Sequence, residues 1–315
     1  MLLEWQSYII LATFWINQLM IKNHSFVGSN VALITPMFDD GRVDYESLNN
    51  LIDFHIDSGT SSIVSVGTTG ESATIGVKEH LKILDHTIKY AARRIPIIAG
   101  TGANSTSEAI ELTQEAKNFG ADACLLVTPY YNKPTQEGLF QHFKLIAESV
   151  SIDQILYNVP GRTAVDMSVD TTSRLSEISN IIGIKDATGD LSVIKELVVK
   201  CPEDFLLLTG DDATAIDFIL LGGHGGISVT ANVTPNELQK AYLAAIAGNV
   251  ELANQLNEAL SGLHKNLFIE SNPIPVKWAL HKMGMCDRGI RLPLLELSKQ
   301  CRVVLENDLK DLGLI

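Results

Sequence analysis

A lysine closes the apolar run Ile181-Ile182-Gly183-Ile184 and is followed by Asp186 and a turn through Thr188 and Gly189. Such an uncharged run reads as a strand covered on both faces. Burying an ammonium there without a partner is costly. Lys185 therefore has two outcomes. It clears the core and points into water, or it is held in a partly dry pocket where lost solvation lowers its pKa and leaves a nucleophilic amine. A neutral amine attacks a carbonyl carbon to form a Schiff base. The carbon next to the iminium then becomes acidic and prepares an enamine. That chemistry needs a proton shuttle, for which a tyrosine is suited, and donors that hold a carboxylate. Tyr157 lies within another apolar run, and Tyr130 and Tyr131, the Thr68-Thr69-Gly70 turn and Arg162 stand just after others. Each has an ordinary alternative as a rim aromatic, a plain turn or a solvated arginine.

The elements that would position these residues recur along the chain. Eight apolar runs, at 30–36, 61–67, 96–102, 123–128, 154–159, 181–187, 205–210 and 226–230, alternate with stretches of helical period. Leu48, Leu51, Ile52 and His55 share one helical stripe, and Leu81, Leu84 and Ile88 share the next. Ser105 opens a helix, with Glu108 in the capping-box position. Alternating strand and helix predicts an α/β protein with parallel pairing through right-handed crossovers. Eight units fit a (β/α)8 TIM barrel. An open doubly wound sheet is the rival, but its Gly-rich phosphate turn is absent after the first run, which continues as ITPMFDDG. From Thr234 the strand rhythm stops, and helices are expected over 235–247, 250–263, 275–283 and 293–312. The expected organisation is an N-terminal extension (1–26), a catalytic barrel (27–233) and a helical C-terminal region (234–315). The barrel rule brings strand C-ends to one face. It gathers Thr35, Thr68, Thr69, Thr101, Tyr130, Tyr131, Tyr157, Arg162, Lys185, Gly210 and Ser228 around one pocket.

Composition narrows the function classes. Of 315 residues, 37 are acidic and 24 are Lys or Arg, a formal charge of −13. That disfavours nucleic acid and anionic membranes as partners. With 46% hydrophobic and 19% charged residues there is material for a large core. Four scattered cysteines, Cys124 among them in an apolar run, and histidines without ligand spacing suggest neither a disulfide framework nor a metal site. A reducing cytoplasm and metal-free organic chemistry are expected. The compact apolar run Tyr8 to Ile16 is shorter than the ~20 residues of a membrane helix. It also lacks the leading positive charge of a secretory signal. The expectation is a working chain that starts near Met20, with an extra packed helix or a weak membrane-associating segment as alternatives.

From about Phe26 onward the chain resembles the dihydrodipicolinate synthases of the pyruvate-dependent class I aldolase and lyase family. The motifs are SVGTTGESAT (65–74), IIAGTGANST (97–106), VTPYYNKPTQEGL (127–139), QILYNVPGRT (154–163), IIGIKDATGD (181–190), LLTGDDATA (207–215), GGHGGISVTANV and NPIPVKWAL (272–280). The resemblance implies a lyase that condenses pyruvate with L-aspartate 4-semialdehyde to give 4-hydroxy-tetrahydrodipicolinate, on the route to diaminopimelate and lysine. It implies a Schiff base on Lys185 and no separate cofactor. Tyr157 relays protons, with Thr68 and with Tyr131 lent by a neighbouring subunit of a homotetramer. Thr68 and Thr69 hold the pyruvate carboxylate, Arg162 receives that of the semialdehyde, and Gly210 and Ile227 line the pocket. It further implies a lysine-effector site at Ser72, Ala73, His80, Asn104, Glu108 and Tyr130. There Glu108 would pair with the ligand ammonium and Asn104 with its carboxylate. Val77 departs from the histidine that lysine-sensitive members often carry, which implies weak to moderate inhibition. Two rivals are a sugar-acid lyase of the same fold, such as N-acetylneuraminate lyase, and a catalytically silent ligand-binding regulator. Arg162 and the Thr68-Thr69 pair argue against the first, and the retained nucleophile argues against the second.

Overall fold

The structure, a computed structural model, describes residues 24–315. The expectation of a start near Met20 and most of the proposed N-terminal extension lie outside the described residues. Eight strands close into a barrel in sequence order. They are β1 (Gly28–Ala32), β2 (Ser62–Ser65), β3 (Ile97–Gly100), β4 (Ala123–Val127), β5 (Gln154–Asn158), β6 (Ile181–Asp186), β7 (Leu206–Thr209) and β8 (Gly225–Ser228). All pairings are parallel, and β1 seals the ring against β8 through Asn30 opposite Ile227. Each strand overlaps one apolar run of the sequence, although β1 begins two residues and β8 one residue before its run. The strands are buried on both sides because residues pointing inward fill the barrel and those pointing outward meet helices. Ala32, Val64, Ile98, Leu125, Ile155, Tyr157, Leu206 and Ile227 form the interior cluster.

The helices start where side chains replace missing backbone partners. Asp44 accepts the N–H groups of Glu46 and Ser47 ahead of the Tyr45–Asp57 helix. Thr135, Ser168 and Asp190 cap later helices in the same way. Ser105 is the N-cap of the Thr106–Phe119 helix, but the capping box does not form. The Ser105 hydroxyl pairs instead with Ser107, at 3.0 Å.

The C-terminal helices differ from the sequence expectation in two places. The expected 250–263 helix divides into Val250–Glu258 and Ser261–Asn266. Leu260 turns into the core there, and Gly262 approaches the last helix so closely that an added Cβ would lie 2.6 Å from Asp308 Oδ1. The last helix is Lys299–Asp311, shorter than expected. Before it, the Ser298 N–H is bound to Glu270 and the Leu297 carbonyl to Arg302, so those groups are engaged outside any helix.

Candidate active site

The pairing of β5 with β6 sets the central geometry. Gln154 pairs with Ile181, but Ile155 pairs with Gly183, so β6 carries one extra residue in a bulge. Gly183 makes this possible, since a Cβ there would come within 2.5 Å of the Leu206 Cβ. The shifted register brings Lys185 opposite Tyr157, and both side chains enter the barrel. Lys185 is 6% exposed, and its Nζ lies 4.3 Å from the centre of the Tyr157 ring. Of the two outcomes open to Lys185, the structure shows the buried one.

Burial lowers the Lys185 pKa from 10.5 to about 8. The Asp212 carboxylate acts against that shift and the Arg162 guanidinium acts with it. Asp212 is itself buried and fixed, its Oδ2 accepting the N–H groups of Val229 and Thr230 and the Thr230 hydroxyl. Burial raises the Tyr157 pKa, while Arg162 and a hydrogen bond with Thr68 pull it down. The Tyr157 phenol is thus buried with Thr68 near enough to act on it, a surrounding suited to a proton relay.

Gly210 follows β7 and leaves the space that the lysine side chain uses. A Cβ on it would stand 2.5 Å from Lys185 Cε and 2.8 Å from the Ala187 Cβ. Ile227 is buried in the interior cluster. Thr68, Thr69 and Gly70 form a turn after β2 that is held from three sides. Thr35 donates to the Gly70 carbonyl at 2.7 Å. Asn272 Nδ2 donates to Thr69 Oγ1 at 2.9 Å. The Glu71 N–H returns to the Thr68 carbonyl at 3.1 Å. Arg162 stands in a one-turn helix, Pro160–Thr163, directly after β5. Its side chain is exposed and donates to the Asn272 carbonyl at 3.2 Å.

Not every residue gathered by the barrel rule reaches this pocket. Thr101 is buried against the Thr106–Phe119 helix, where Thr113 donates to it at 2.9 Å. Ser228 accepts the Ala231 N–H and serves the turn after β8. Tyr131 is 90% exposed and sits at φ +74°, a conformation unfavourable for a bulky residue. It does not enter the pocket of its own chain.

A cavity of about 270 Å3 adjoins the site and includes Thr68 and Arg162 in its wall. Ser72, Ala73, His80, Glu108 and Tyr130 line it, together with Val77. Burial lowers the His80 pKa, and its Nε2 is bonded to the Gly100 carbonyl at 2.9 Å. Asn104 is not in the lining. Its side chain donates to the Tyr130 carbonyl at 3.2 Å and so holds the tyrosine backbone.

Sequence reasoning did not single out Asp212, Glu71, Asn272 or Lys277 as site residues. For Lys277 the signal was a cation inside the apolar helical stretch Pro275 to Leu280; it is 2% exposed and paired with Glu71. Among the described residues no group of three or more His, Cys, Asp or Glu side chains is arranged for a metal ion.

The fold and the site define a (β/α)8 barrel organised around a buried strand-end lysine with a tyrosine at its side, the arrangement of lysine-dependent aldolases and lyases. The chain belongs to the dihydrodipicolinate synthetase family, whose model matches residues 25–312. It is 66% identical over 293 residues to the 4-hydroxy-tetrahydrodipicolinate synthase of Ruthia magnifica subsp. Calyptogena magnifica, covering 93% of this chain and 99% of that one. Among solved structures, it matches the chloride-inhibited dihydrodipicolinate synthase of Acinetobacter baumannii in complex with pyruvate. The TM-score is 0.91 and the identity 57%, over 92% of this chain and all of that one. It also matches the Cyanidioschyzon merolae enzyme with lysine bound, with a TM-score of 0.90 and 35% identity, over 92% of this chain and 99% of that one.

Proposed function

We propose that the protein is a 4-hydroxy-tetrahydrodipicolinate synthase, a lyase that condenses pyruvate with L-aspartate 4-semialdehyde. The observation that carries this reading is the buried Lys185, depressed in basicity, with Tyr157 beside it. The neutral Nζ attacks the pyruvate keto carbon, water leaves, and an iminium forms on Lys185. Loss of a methyl proton gives the enamine, which attacks the semialdehyde aldehyde. Tyr157 carries protons at these steps, its hydroxyl linked to Thr68. The carboxylate of pyruvate lies at the Thr68-Thr69 turn, where hydroxyl and backbone N–H groups supply donors. Arg162 takes the carboxylate of the second substrate through its guanidinium fork. Gly210 and Ile227 shape the wall. The lysine itself activates the carbonyl, so the reading calls for no separate cofactor.

Tyr131 acts in the site of a neighbouring copy within a homotetramer, a role in keeping with its exposure and unfavourable φ. The cavity at Ser72, Ala73, His80, Glu108 and Tyr130 takes lysine as effector, with Asn104 at its edge, and the lysine-bound relative supports this. Its shared wall with Thr68 and Arg162 gives a short path from effector to substrate. A place in diaminopimelate and lysine synthesis goes with this reading. So does a cytoplasmic location, supported by four free cysteines. No described helix is long and apolar enough to cross a membrane.

The test is borohydride reduction in the presence of pyruvate, followed by peptide mass mapping. The expected product is a stable adduct on Lys185. Modification elsewhere, or none, overturns the mechanism. Pyruvate consumption that begins on adding aspartate semialdehyde separates this synthase from sugar-cleaving relatives.

A further inference from the structure

The C-terminal helical region reaches back to the turn that the proposed mechanism uses for the pyruvate carboxylate. Lys277, in the Ile274–Lys282 helix, forms an ion pair with Glu71 in which the side chains are 3% and 0% exposed. Burial lowers the Lys277 pKa and the Glu71 carboxylate opposes that shift. Glu71 directly follows Thr68-Thr69-Gly70 and has φ +61°, a conformation that costs a non-glycine residue energy and persists only where its surroundings enforce it. Its second oxygen accepts the Arg291 N–H at 3.1 Å. Arg291 continues outward to the Gly41 carbonyl and to both oxygens of Glu79. The Glu71 carboxylate is thus fixed from two sides by the C-terminal region, and its backbone is the end of the substrate-holding turn.

A buried pair of this kind is weak evidence for stability, because two apolar residues often do as well. Its effect is directional. It holds Glu71 in the left-handed conformation, and the Thr68-Thr69 donors face the site only if the turn closes there. Gly70 leaves no slack in that closure, since a Cβ on it would meet Val66 Cα at 2.9 Å.

We propose that Lys277 is a positioning residue for pyruvate recognition, acting through Glu71 on the Thr68-Thr69 turn without touching substrate. The proposal rests on the synthase reading given above. It separates binding of the first substrate from chemistry and from binding of the second. The charged groups that act on Lys185 are Asp212 and Arg162, not Lys277 or Glu71. At saturating pyruvate the bound carboxylate itself holds the Thr68-Thr69 turn closed, so the rate of adduct formation there and the KM for aspartate semialdehyde stay near wild type.

The experiment compares the full-length wild type with Lys277→Met and with the neutral double variant Glu71→Gln/Lys277→Met, which leaves no lone buried charge. Borohydride trapping of the Lys185 adduct gives the half-saturating pyruvate concentration and the limiting rate for each. Steady-state kinetics give the KM for the semialdehyde, and thermal unfolding reports the fold. Loss of a charge-assisted anchor is expected to raise half-saturation by roughly tenfold or more, with a limiting rate within about threefold of wild type. If Lys277→Met fails to fold, the double variant carries the test. Wild-type half-saturation in the double variant overturns the proposal, as does an equal loss in binding of both substrates. Absence of a Lys185 adduct in the wild type overturns the synthase reading instead, so the two failures are distinct.

Discussion

Lys185 and Tyr157 face each other across β5 and β6, the lysine Nζ 4.3 Å from the centre of the tyrosine ring. The amine lies over the ring, while the phenol oxygen is engaged with Thr68. The amine and the phenol ring therefore share one small volume inside the barrel. This relationship depends on the bulge at Gly183. Without the extra residue, Lys185 would turn outward toward the helix layer.

The pH dependence of adduct formation follows from the state of Lys185. With a pKa of about 8, roughly one lysine in ten is neutral at pH 7, against fewer than one in a thousand for an ordinary lysine. The sign is that of a lowered amine pKa: the reactive form increases as pH rises and levels off above about 8. The rate of trapping at saturating pyruvate is expected to climb through neutral pH and reach a plateau. A rate that keeps climbing to pH 10 would show that the amine is not depressed. Lys185→Ala is expected to abolish the adduct at every pH.

Tyr157→Phe keeps the ring that packs in the barrel and removes only the hydroxyl. The expected result is a fall in kcat of about 10²–10⁴ with little loss of thermal stability, since proton transfer by a positioned side chain contributes in that range. Rapid-quench measurement of adduct formation and steady-state turnover checks it. Turnover near wild type would remove Tyr157 from the relay.

Gly210→Ala tests the space beside the lysine. The added methyl would lie 2.5 Å from Lys185 Cε and 2.8 Å from the Ala187 Cβ. The lysine must swing away from its place over Tyr157. We expect the fold to persist, with adduct formation slowed by about tenfold or more, because misplacement near 1 Å at a reacting group costs up to ~100-fold. Unchanged trapping kinetics would mean that the Lys185 side chain has another productive route.

Much of this arrangement was legible before the structure. The eight strands were visible because both-sided burial writes continuous apolar runs, and the site lysine was visible because it breaks such a run. What sequence left open depended on phase and direction. Gly183 permits a bulge, but nothing local fixes that β6 gains one residue between Ile181 and Gly183, and that shift decides whether Lys185 faces inward. The barrel rule places strand ends at one rim but not the faces they present, so it gathered Thr101 and Ser228, which serve the helix layer and a turn. The Glu71–Lys277 pair joins residues 206 positions apart, a separation that no periodicity spans. The shortened last helix follows from the same limit: the contacts of Ser298 and Leu297 with Glu270 and Arg302 override a helical pattern.

Lysine inhibition is expected to be weak to moderate. Val77 lines the cavity and is half exposed, and it offers no hydrogen bond where a polar residue would. Placing histidine there, as Val77→His, is expected to lower the half-inhibiting lysine concentration by a few-fold, the effect of about one added hydrogen bond. Initial rates over a lysine series check this for both proteins. A flat response to millimolar lysine in the wild type would refute the weak-to-moderate reading.

Tyr131 supplies the sharpest test of assembly. Its side chain is 90% exposed in one chain, yet the proposed relay needs it next to Tyr157. If Tyr131 serves the neighbour's site, each site combines a lysine from one copy with a tyrosine from the other. Lys185→Ala and Tyr131→Ala are then each nearly inactive alone. Unfolded together, mixed and refolded, they form hybrid pairs in which one site holds both wild-type residues. Random pairing about a two-fold axis makes half the pairs hybrid, each with one good site of two, so about a quarter of wild-type activity is expected to return. The measurement is turnover of the refolded mixture against each variant refolded alone. No recovery, with hybrids confirmed by mass, would mean that Tyr131 acts within its own chain or not at all. Recovery in proportion to the hybrid fraction would fix the tyrosine as a residue exchanged between copies and make the single chain an incomplete enzyme.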